Sequence, residues 1–121
     1  VELKEINQDK SQPDMTLMLD DINEVMYKAI EILSPFGVGN LKPLFEFKDV
    51  TPASIRKFGK KLEHLEVIYR NEKGQSIKAI QFFTNTDTEE KAKETHTLLA
   101  HLEKSYFGGK VELRLRIKEV I

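Results

Sequence analysis

The sequence predicts a mostly β (α+β) domain of five strands, with a short helix between the third and fourth strands and a helical segment before the first. Two observations lead to this prediction. Apolar residues recur at helical spacing up to Leu33, whereas from Leu44 onward they alternate at every second position, as in strands. Turn signals at 71–74 and at Gly108-Gly109 then divide the alternating part into hairpins.

Length and composition describe an ordinary globular chain. Its 121 residues suit one domain, or a small domain with an appendage, and the apolar share of 40% can fill a core. The absence of cysteine excludes disulfides, thiolate metal sites and a cysteine nucleophile, and fits a reducing compartment. Because we find no signal-peptide core and no apolar run of bilayer-spanning length, we expect a cytoplasmic location.

The charge of the chain is unevenly distributed. The net charge of −1 argues against a globally basic nucleic-acid binder. However, residues 1–31 contain three basic and eight acidic residues (net −5), and residues 32–121 contain 16 basic and 12 acidic residues (net +4). The positive part coincides with the strand-rich part, which favours a local patch that binds a polyanion.

The first 40 residues are predicted to form a linker and a helix that precede a β domain at 41–121. Residues 1–6 alternate like a strand, and the apolar run at 15–19 is suited to docking on a neighbouring surface. A helix is expected from 21 to 33, with Asp20 as its N-cap. Its apolar stripe, which we expect to face a core, consists of Ile22, Val25, Met26, Ala29, Ile30 and Leu33.

A junction rich in turn-forming residues joins the helix to the first strand. Pro35 cannot donate a helical hydrogen bond and biases Ser34 away from the helix, so the helix should end near that residue. Gly37 and Gly39 permit backbone angles that a side chain forbids. Pro43 fixes one more backbone angle immediately before the first strand.

Alternating apolar residues define the first three strands. The first begins at Leu44 and ends before Thr51-Pro52, the second spans 62–70, and the third spans 76–83. The side chains on their apolar faces are interpreted as core rather than as a ligand-binding surface, and include Phe45, Phe47, Val67 and Tyr69.

The segment 84–107 is compatible with two structures. A helix capped by Asp87 or Thr88 would carry one apolar side, whereas the alternation at 98–102 fits a strand. The turn signal at Gly108-Gly109 favours a short helix at 87–94 followed by strand, turn and strand. That turn sets four cross-strand pairs: Leu102 with Leu115, Ala100 with Ile117, Glu103 with Arg114, and His101 with Arg116.

Five strands with a short helix between the third and the fourth are the order of an OB-fold barrel. The junction contains Leu33, Pro35, Phe36, Gly37, Gly39, Asn40, Pro43, Leu44 and Phe45. These residues resemble the junction of RecJ-type single-stranded-DNA-specific exonucleases, where it joins the end of a DHHA1-type domain to a C-terminal OB-fold. The chain departs from the family pattern at Leu41-Lys42-Pro43, where the family usually has an acidic residue after Asn-Pro.

The resemblance extends over most of 30–121. Lys60-Lys61 with His64-Leu65 resembles the second strand of the family's OB-fold. The family's closing hairpin is similar to a set of residues near the end of this chain: Leu102, Glu103, Phe107, Gly109, Lys110, Leu113 and 115–118.

No catalytic constellation is evident in the sequence. His96 and His101 are five residues apart on a predicted strand and so lie on opposite faces, and His64 has no nearby carboxylate cluster, so metal binding is not predicted. Helix capping explains the pair Asp20-Asp21. Walker-type and dinucleotide-binding glycine loops are absent. We therefore do not expect the chain itself to be an enzyme.

The Asp-His-His signature and the DHHA1 histidine motif of the exonuclease family are also absent. The resemblance therefore implies that nuclease chemistry and its divalent metal, Mn or Mg, belong to a catalytic core elsewhere in a parent polypeptide. No cofactor is expected in this chain.

Two groups of cations are candidates for binding DNA phosphates: four residues between the first two strands and a row along the last strand. Single-strand binders combine such cations with aromatic side chains on which bases stack. The alternative to DNA binding is a solvated surface turn for the first group. For the arginines of the second group it is pairing with Glu103 and its neighbours. The predicted DNA-binding residues are Arg56, Lys57, Phe58, Lys60, Lys61, His64, Tyr106, Phe107, Arg114, Arg116 and Lys118.

These observations leave two functions open. The resemblance implies a non-catalytic OB-fold that binds single-stranded DNA and guides it to the core of a 5′-3′ exonuclease of DNA repair and recombination. The alternative is a protein-interaction or interdomain bracing barrel without nucleic-acid contact, since one fold hosts both roles. The expected partners are single-stranded DNA, the parent catalytic domains and a single-stranded-DNA-binding protein, with no membrane. The lack of paired catalytic groups disfavours a third interpretation, a small unrelated enzyme.

Overall fold

A computed structural model of the chain describes residues 12–32 and 43–121. The described residues form one seven-stranded sheet with the strand order β1-β2-β6-β7-β5-β4-β3. The strands are β1 (Met15–Thr16), β2 (Phe45–Val50), β3 (Ser54–Phe58), β4 (His64–Arg70), β5 (Ser76–Gln81), β6 (His96–Phe107) and β7 (Lys110–Val120). Two α-helices accompany them, α1 (Glu24–Ile32) and α2 (Thr86–Ala92). Neither helix is long and apolar enough to cross a membrane.

The described residues contain seven strands instead of the predicted five, partly because the segment between the first two predicted strands forms a strand of its own, β3. Residues 51–53 separate β2, which pairs with β6, from β3, which pairs with β4 at the far edge of the sheet. Pro52 has no N–H for a continuous ladder, and the N–H of Ala53 already bonds to the carbonyl of Ile68, at 2.7 Å. Three residues span only about 10 Å, so the sheet must curl to bring β2 and β3 this close.

The edge strand β1 accounts for the other additional strand. It pairs in parallel with β2, with Met15 opposite Phe45. The apolar run at 15–19 thus docks on the sheet, as the sequence predicts, and Leu17 and Leu19 pack against the core. The hydrogen-bonded strand order is open, running from β1 at one edge to β3 at the other.

The core lies on the inner face of the curled sheet. The predicted core residues Phe45, Phe47, Val67 and Tyr69 are all buried. The short helix predicted between the third and fourth long strands is confirmed as α2 and contributes the buried Ala92. Its N-cap is Asn85, whose side chain accepts the N–H of Thr88 at 2.8 Å, because Asn85 lies one position before the first helical residue.

The closing hairpin has the predicted register. Gly108 (φ 58°) and Gly109 (φ 78°) form the two-residue turn, and both have the left-handed backbone that glycine adopts at little cost. All four predicted cross-strand pairs between β6 and β7 are confirmed. The helical alternative for 98–107 is therefore not adopted.

The start of α1 differs from the sequence prediction. Asn23, rather than Asp20, caps the helix, since its side chain accepts the N–H of Met26 at 2.8 Å. Asp20 lies in a 3-10 turn and accepts the N–H of Glu72 at 3.0 Å. Ile22, Met26 and Tyr27 pack against the core, but Val25 of the predicted apolar stripe is 79% exposed. The junction at 33–42, with the expected domain boundary after residue 40, and residues 1–11 lie outside the described residues.

Candidate nucleic-acid interface

Charged side chains of five neighbouring strands share the outer face of the sheet. The strand register places Arg56 of β3 opposite Glu66 of β4, and Arg114 of β7 opposite both Lys78 of β5 and Glu103 of β6. Residues that are directly opposite each other project to the same face. This face points away from the core, so its charges form a continuous outer row.

The cations of the outer row are paired with carboxylates of the same row. Glu66 accepts from Nε of Arg56 at 2.6 Å and also lies 3.7 Å from Nζ of Lys78. Glu103 accepts from Nε of Arg114 at 2.6 Å and from Nη2 of Arg116 at 3.2 Å. The alternative interpretation of the last-strand cations, pairing with Glu103, is therefore what the structure shows. These arginines are partly neutralised before any ligand approaches.

An aromatic patch, consisting of Phe58, His64, Phe82 and Phe83, lies at one end of this row. His64 is its centre, with ring centroids 5.2 Å from Phe58, 5.0 Å from Phe82 and 4.9 Å from Phe83. The guanidinium of Arg116 lies 4.7 Å from the Phe82 ring centroid, and that of Arg56 lies 5.6 Å from the Phe58 centroid. The patch is exposed, since Phe82 retains 39% and Phe83 76% of its accessible surface. Cations and accessible aromatic faces thus meet at this point.

Two turns bring the aromatic patch together. The β3–β4 turn contains Gly59, whose φ of 99° is a backbone conformation that favours glycine, and a Cβ there would also lie 2.6 Å from Oε1 of Glu63. The turn after β5 contains Phe83 with φ 55°, a left-handed backbone that is strained for an aromatic residue. Two hydrogen bonds join the turns: Thr84 N–H to the carbonyl of Glu63 (2.8 Å) and Phe83 N–H to Nδ1 of His64 (3.0 Å). Strained residues of this kind persist where their surroundings fix them.

The predicted four-cation cluster between the first two strands divides into paired and unpaired members. Arg56 is bound to Glu66, and Lys57 projects to the other face, where its Nζ lies 3.4 Å from Glu89 of α2. Lys60 and Lys61 are exposed in the β3–β4 turn and form no ion pair with any described residue.

In the same turn, the Glu63 carboxylate accepts the N–H of Lys61 at 3.0 Å. Hydrogen bonds from the backbone N–H groups of Glu63 itself and of Lys61 lower the pKa of the Glu63 carboxyl. Its negative charge is thereby directed at the backbone of the turn. Lys60 and Lys61 are exposed in this same turn, which joins Phe58 to His64 of the aromatic patch.

The structure does not bring the other predicted site residues to the aromatic patch. Tyr106 is 73% exposed and follows Lys104, whose Nζ lies 4.9 Å from the ring of Tyr27 and 3.7 Å from Glu24 of α1. Tyr106 and Lys104 are two residues apart and therefore share a face of β6. The side chain of Glu103, which is adjacent to Lys104, lies on the opposite face. Lys118 is exposed at the β-bulge of the β6–β7 ladder. The side chain of Phe107 lies outside the described residues.

Sequence reasoning did not select Phe82 and Phe83. Both are aromatic, adjacent and at the end of a predicted strand, and strict alternation can bury only one of two adjacent side chains. The adjacent pair was therefore a usable signal, because at least one of the two aromatic side chains must be exposed. His64, which the sequence did select, contacts all three other rings of the patch. Phe58 and Phe82 also contact each other, with ring centroids 6.3 Å apart.

The site contains no metal centre in the described part of the chain. No cluster of three or more His, Cys, Asp or Glu side chains occurs there with a geometry suited to a metal ion. Nε of Arg116 is buried without a hydrogen-bond partner, but the guanidinium already contacts Glu103 and Phe82.

The curled sheet with its cationic and aromatic end defines a small OB-like β module. Residues 13–119 match the family model described as the RecJ OB domain. The chain therefore belongs to the RecJ OB domain family, as its junction and closing hairpin led us to expect.

A solved structure supports the same fold. The crystal structure of RecJ from Thermus thermophilus in complex with Mg2+ is similar to this chain with a TM-score of 0.59 and 20% sequence identity. The similarity covers 78% of this chain and 14% of that chain, so the present sequence corresponds to a small part of the larger protein. The comparison with curated protein sequences gives no match.

Proposed function

We propose that this chain is the single-stranded-DNA-binding OB module of a RecJ-like 5′-3′ exonuclease. The observation that supports the proposal is the place of Lys60 and Lys61, which pair with no described carboxylate, in the turn that joins Phe58 and His64 of the aromatic patch. In this proposal β2 and β3 together correspond to the first strand of a five-stranded OB barrel, and the two turns described above form part of its rim.

The proposed binding combines two interactions. Bases stack on the exposed rings of Phe82 and Phe83, and Lys60 and Lys61 follow the phosphates beside them. Stacking tolerates every base, since each has a π-face, so little sequence preference is expected. The module guides the strand, while hydrolysis and its divalent metal belong to a catalytic core outside this sequence.

Titration of a labelled oligothymidylate tests this function. Because only two unpaired lysines, Lys60 and Lys61, lie in the turn at the aromatic patch, we expect modest affinity that falls as salt rises, with a slope in log–log form of about −0.7 for each phosphate contacted. Duplex DNA of the same length should bind more weakly, since its bases are not available for stacking. Salt-independent binding, or a preference for duplex, would contradict the proposal.

A bracing role remains a second candidate, and the outer row favours it. Arg56, Arg114 and Arg116 are all bound to carboxylates of the same face, which suits a structural surface that docks against the catalytic domains or a single-stranded-DNA-binding protein. Charge reversal at Lys60 and Lys61 separates the two functions. Lost oligonucleotide binding supports the DNA-binding function, whereas retained binding with lost association to the catalytic domains supports bracing.

A further inference from the structure

His64 differs from the other two histidines in the hydrogen bond that its Nδ1 makes. In His96 and His101, Nδ1 lies 2.6 and 2.9 Å from a backbone carbonyl oxygen. Because a carbonyl oxygen only accepts hydrogen bonds, Nδ1 carries the proton in both residues. In His64, Nδ1 instead faces the backbone N–H of Phe83 at 3.0 Å. A nitrogen can accept this bond only when it carries no proton. Protonation of the ring therefore breaks the Nδ1 bond of His64, whereas the Nδ1 bonds of His96 and His101 are compatible with a protonated ring.

The bond that would be lost holds an exposed and strained residue. Phe83 has φ 55°, and its ring is the most exposed member of the aromatic patch. The next residue, Thr84, is held by the carbonyl of Glu63 at 2.8 Å, an acceptor that does not titrate. The backbone hydrogen bond from Phe83 to β4 thus depends on the unprotonated Nδ1 of His64, and the ring contact with His64 at 4.9 Å is the other described contact between them.

The charged groups around His64 come from its own turn and from strands β3 and β7. Oε2 of Glu63 lies 3.6 Å from Nε2, so a protonated ring meets a carboxylate on that side and only an N–H on the Nδ1 side. Lys60 and Lys61 occupy the same turn. The remaining charges reach the patch from β3 and β7 and stack on its other rings, as Arg56 does on Phe58 and Arg116 on Phe82, while Lys57 projects to the opposite face.

We propose that neutral His64 is a positioning residue that holds Phe83 in the aromatic patch, and that protonation of its ring releases Phe83 and weakens the binding of single-stranded polynucleotides. The second clause rests on the proposed function, whereas the first concerns the chain alone. The direction of the effect is diagnostic. An added positive charge by itself strengthens binding to a polyanion, so weaker binding on protonation identifies the loss of a stacking surface.

Nuclear magnetic resonance of the 121-residue chain tests the positioning role without DNA. The ring signals of His64 report directly whether its imidazole is neutral or protonated at each pH of a series. We expect the amide of Phe83 to shift with the same midpoint and to exchange faster with solvent once the ring is protonated. The amide of Thr84 is the matched control and should keep its protection. A Phe83 amide that does not respond to the titration overturns the inference.

Two variants test the effect on binding. His64→Asn places an amide oxygen where Nδ1 lies and cannot be protonated, whereas His64→Phe keeps an aromatic ring without an acceptor. For a labelled oligothymidylate at constant salt, we compare two pH values at which the ring signals show His64 neutral and protonated. Between them we expect wild-type affinity to fall at least about fivefold, the lower end of the loss for one stacked base. His64→Asn should remove this fall, and His64→Phe should bind weakly at both values.

The outcomes distinguish the inference from the proposed function. If oligothymidylate binds but His64→Asn keeps the wild-type pH profile, the inference is wrong and the binding function stands. If the Phe83 amide follows the titration but no variant binds oligothymidylate at any pH, the proposed function fails and with it the second clause. Affinity that rises as the ring is protonated also overturns the inference, because charge then outweighs any loss of stacking.

Discussion

The hydroxyl of Tyr69 lies 2.6 Å from Nε2 of His96, and both side chains are buried inside the curled sheet. The other ring nitrogen of His96, Nδ1, lies 2.6 Å from the carbonyl oxygen of Glu94, which can only accept. In the neutral ring, Nδ1 therefore carries the proton and Nε2 accepts from Tyr69. Burial raises the pKa of the Tyr69 hydroxyl, so this donor keeps its proton through the neutral range.

Replacement of Tyr69 by Phe should lower the free energy of unfolding by about 1–3 kcal/mol, because Nε2 of His96 then loses its donor in a buried site. Urea unfolding monitored by circular dichroism measures the change. Tyr106→Phe is the matched control, since its hydroxyl is on an exposed side chain and its removal should cost less than about 0.5 kcal/mol. Equal changes in the two variants would show that the buried hydrogen bond contributes nothing.

The raised pKa of Tyr69 also predicts a loss of stability in alkali. The folded-state pKa lies above the unfolded value of about 10. The unfolded chain therefore releases this proton first, and the stability contribution is complete below about pH 10 and lost as the pH rises further. Urea unfolding at several pH values between about 8 and 11 should show a steeper decline for wild type than for Tyr69→Phe. Parallel declines in the two proteins would exclude Tyr69 as the cause.

The sequence was sufficient for those parts of the fold that local signals determine. The glycine pair at 108–109 fixes a two-residue turn, and this turn sets the register of Leu102 and Leu115 across the longest hairpin. The alternation of Phe45 and Phe47 identifies the buried face without reference to any other strand. In both cases the deciding interaction lies within a few residues or follows directly from the strand period.

The sequence was insufficient where the outcome depends on contacts between distant strands. Thr51-Pro52 signals the end of a strand, but only the pairing partners of β2 and β3 show that the residues after the break form another strand, at the far edge of the sheet. The ion pairs of Arg56 with Glu66 and of Lys57 with Glu89 likewise could not be predicted without knowing which strands are neighbours and which face each side chain occupies. Two members of the predicted cation cluster, Arg56 and Lys57, are thus paired with carboxylates, and Lys60 and Lys61 form no ion pair with any described residue.

Charge reversal at both Lys60 and Lys61 to Glu should weaken oligothymidylate binding at low salt by at least about tenfold, because two phosphate contacts become repulsive. The log–log salt slope should become shallower by about 1.4, which corresponds to two phosphates on a single strand. The control is the reversal of Lys73 and Lys110, two exposed lysines in other hairpins, which changes the net charge equally. If both double variants lose affinity to the same extent, the effect is one of overall charge and no local site exists.

Truncation of Phe83 to Ala should separate binding from stability. Its ring is 76% exposed, so the free energy of unfolding should change little, while affinity for oligothymidylate should fall about fivefold or more through loss of a stacked base. Tyr106→Ala is the matched control, because Tyr106 is 73% exposed but lies on the opposite face of β6 from the outer row. Fluorescence anisotropy gives both affinities. If Tyr106→Ala weakens binding and Phe83→Ala does not, the strand runs over the hairpin tip instead, and the aromatic patch is a surface for a protein partner.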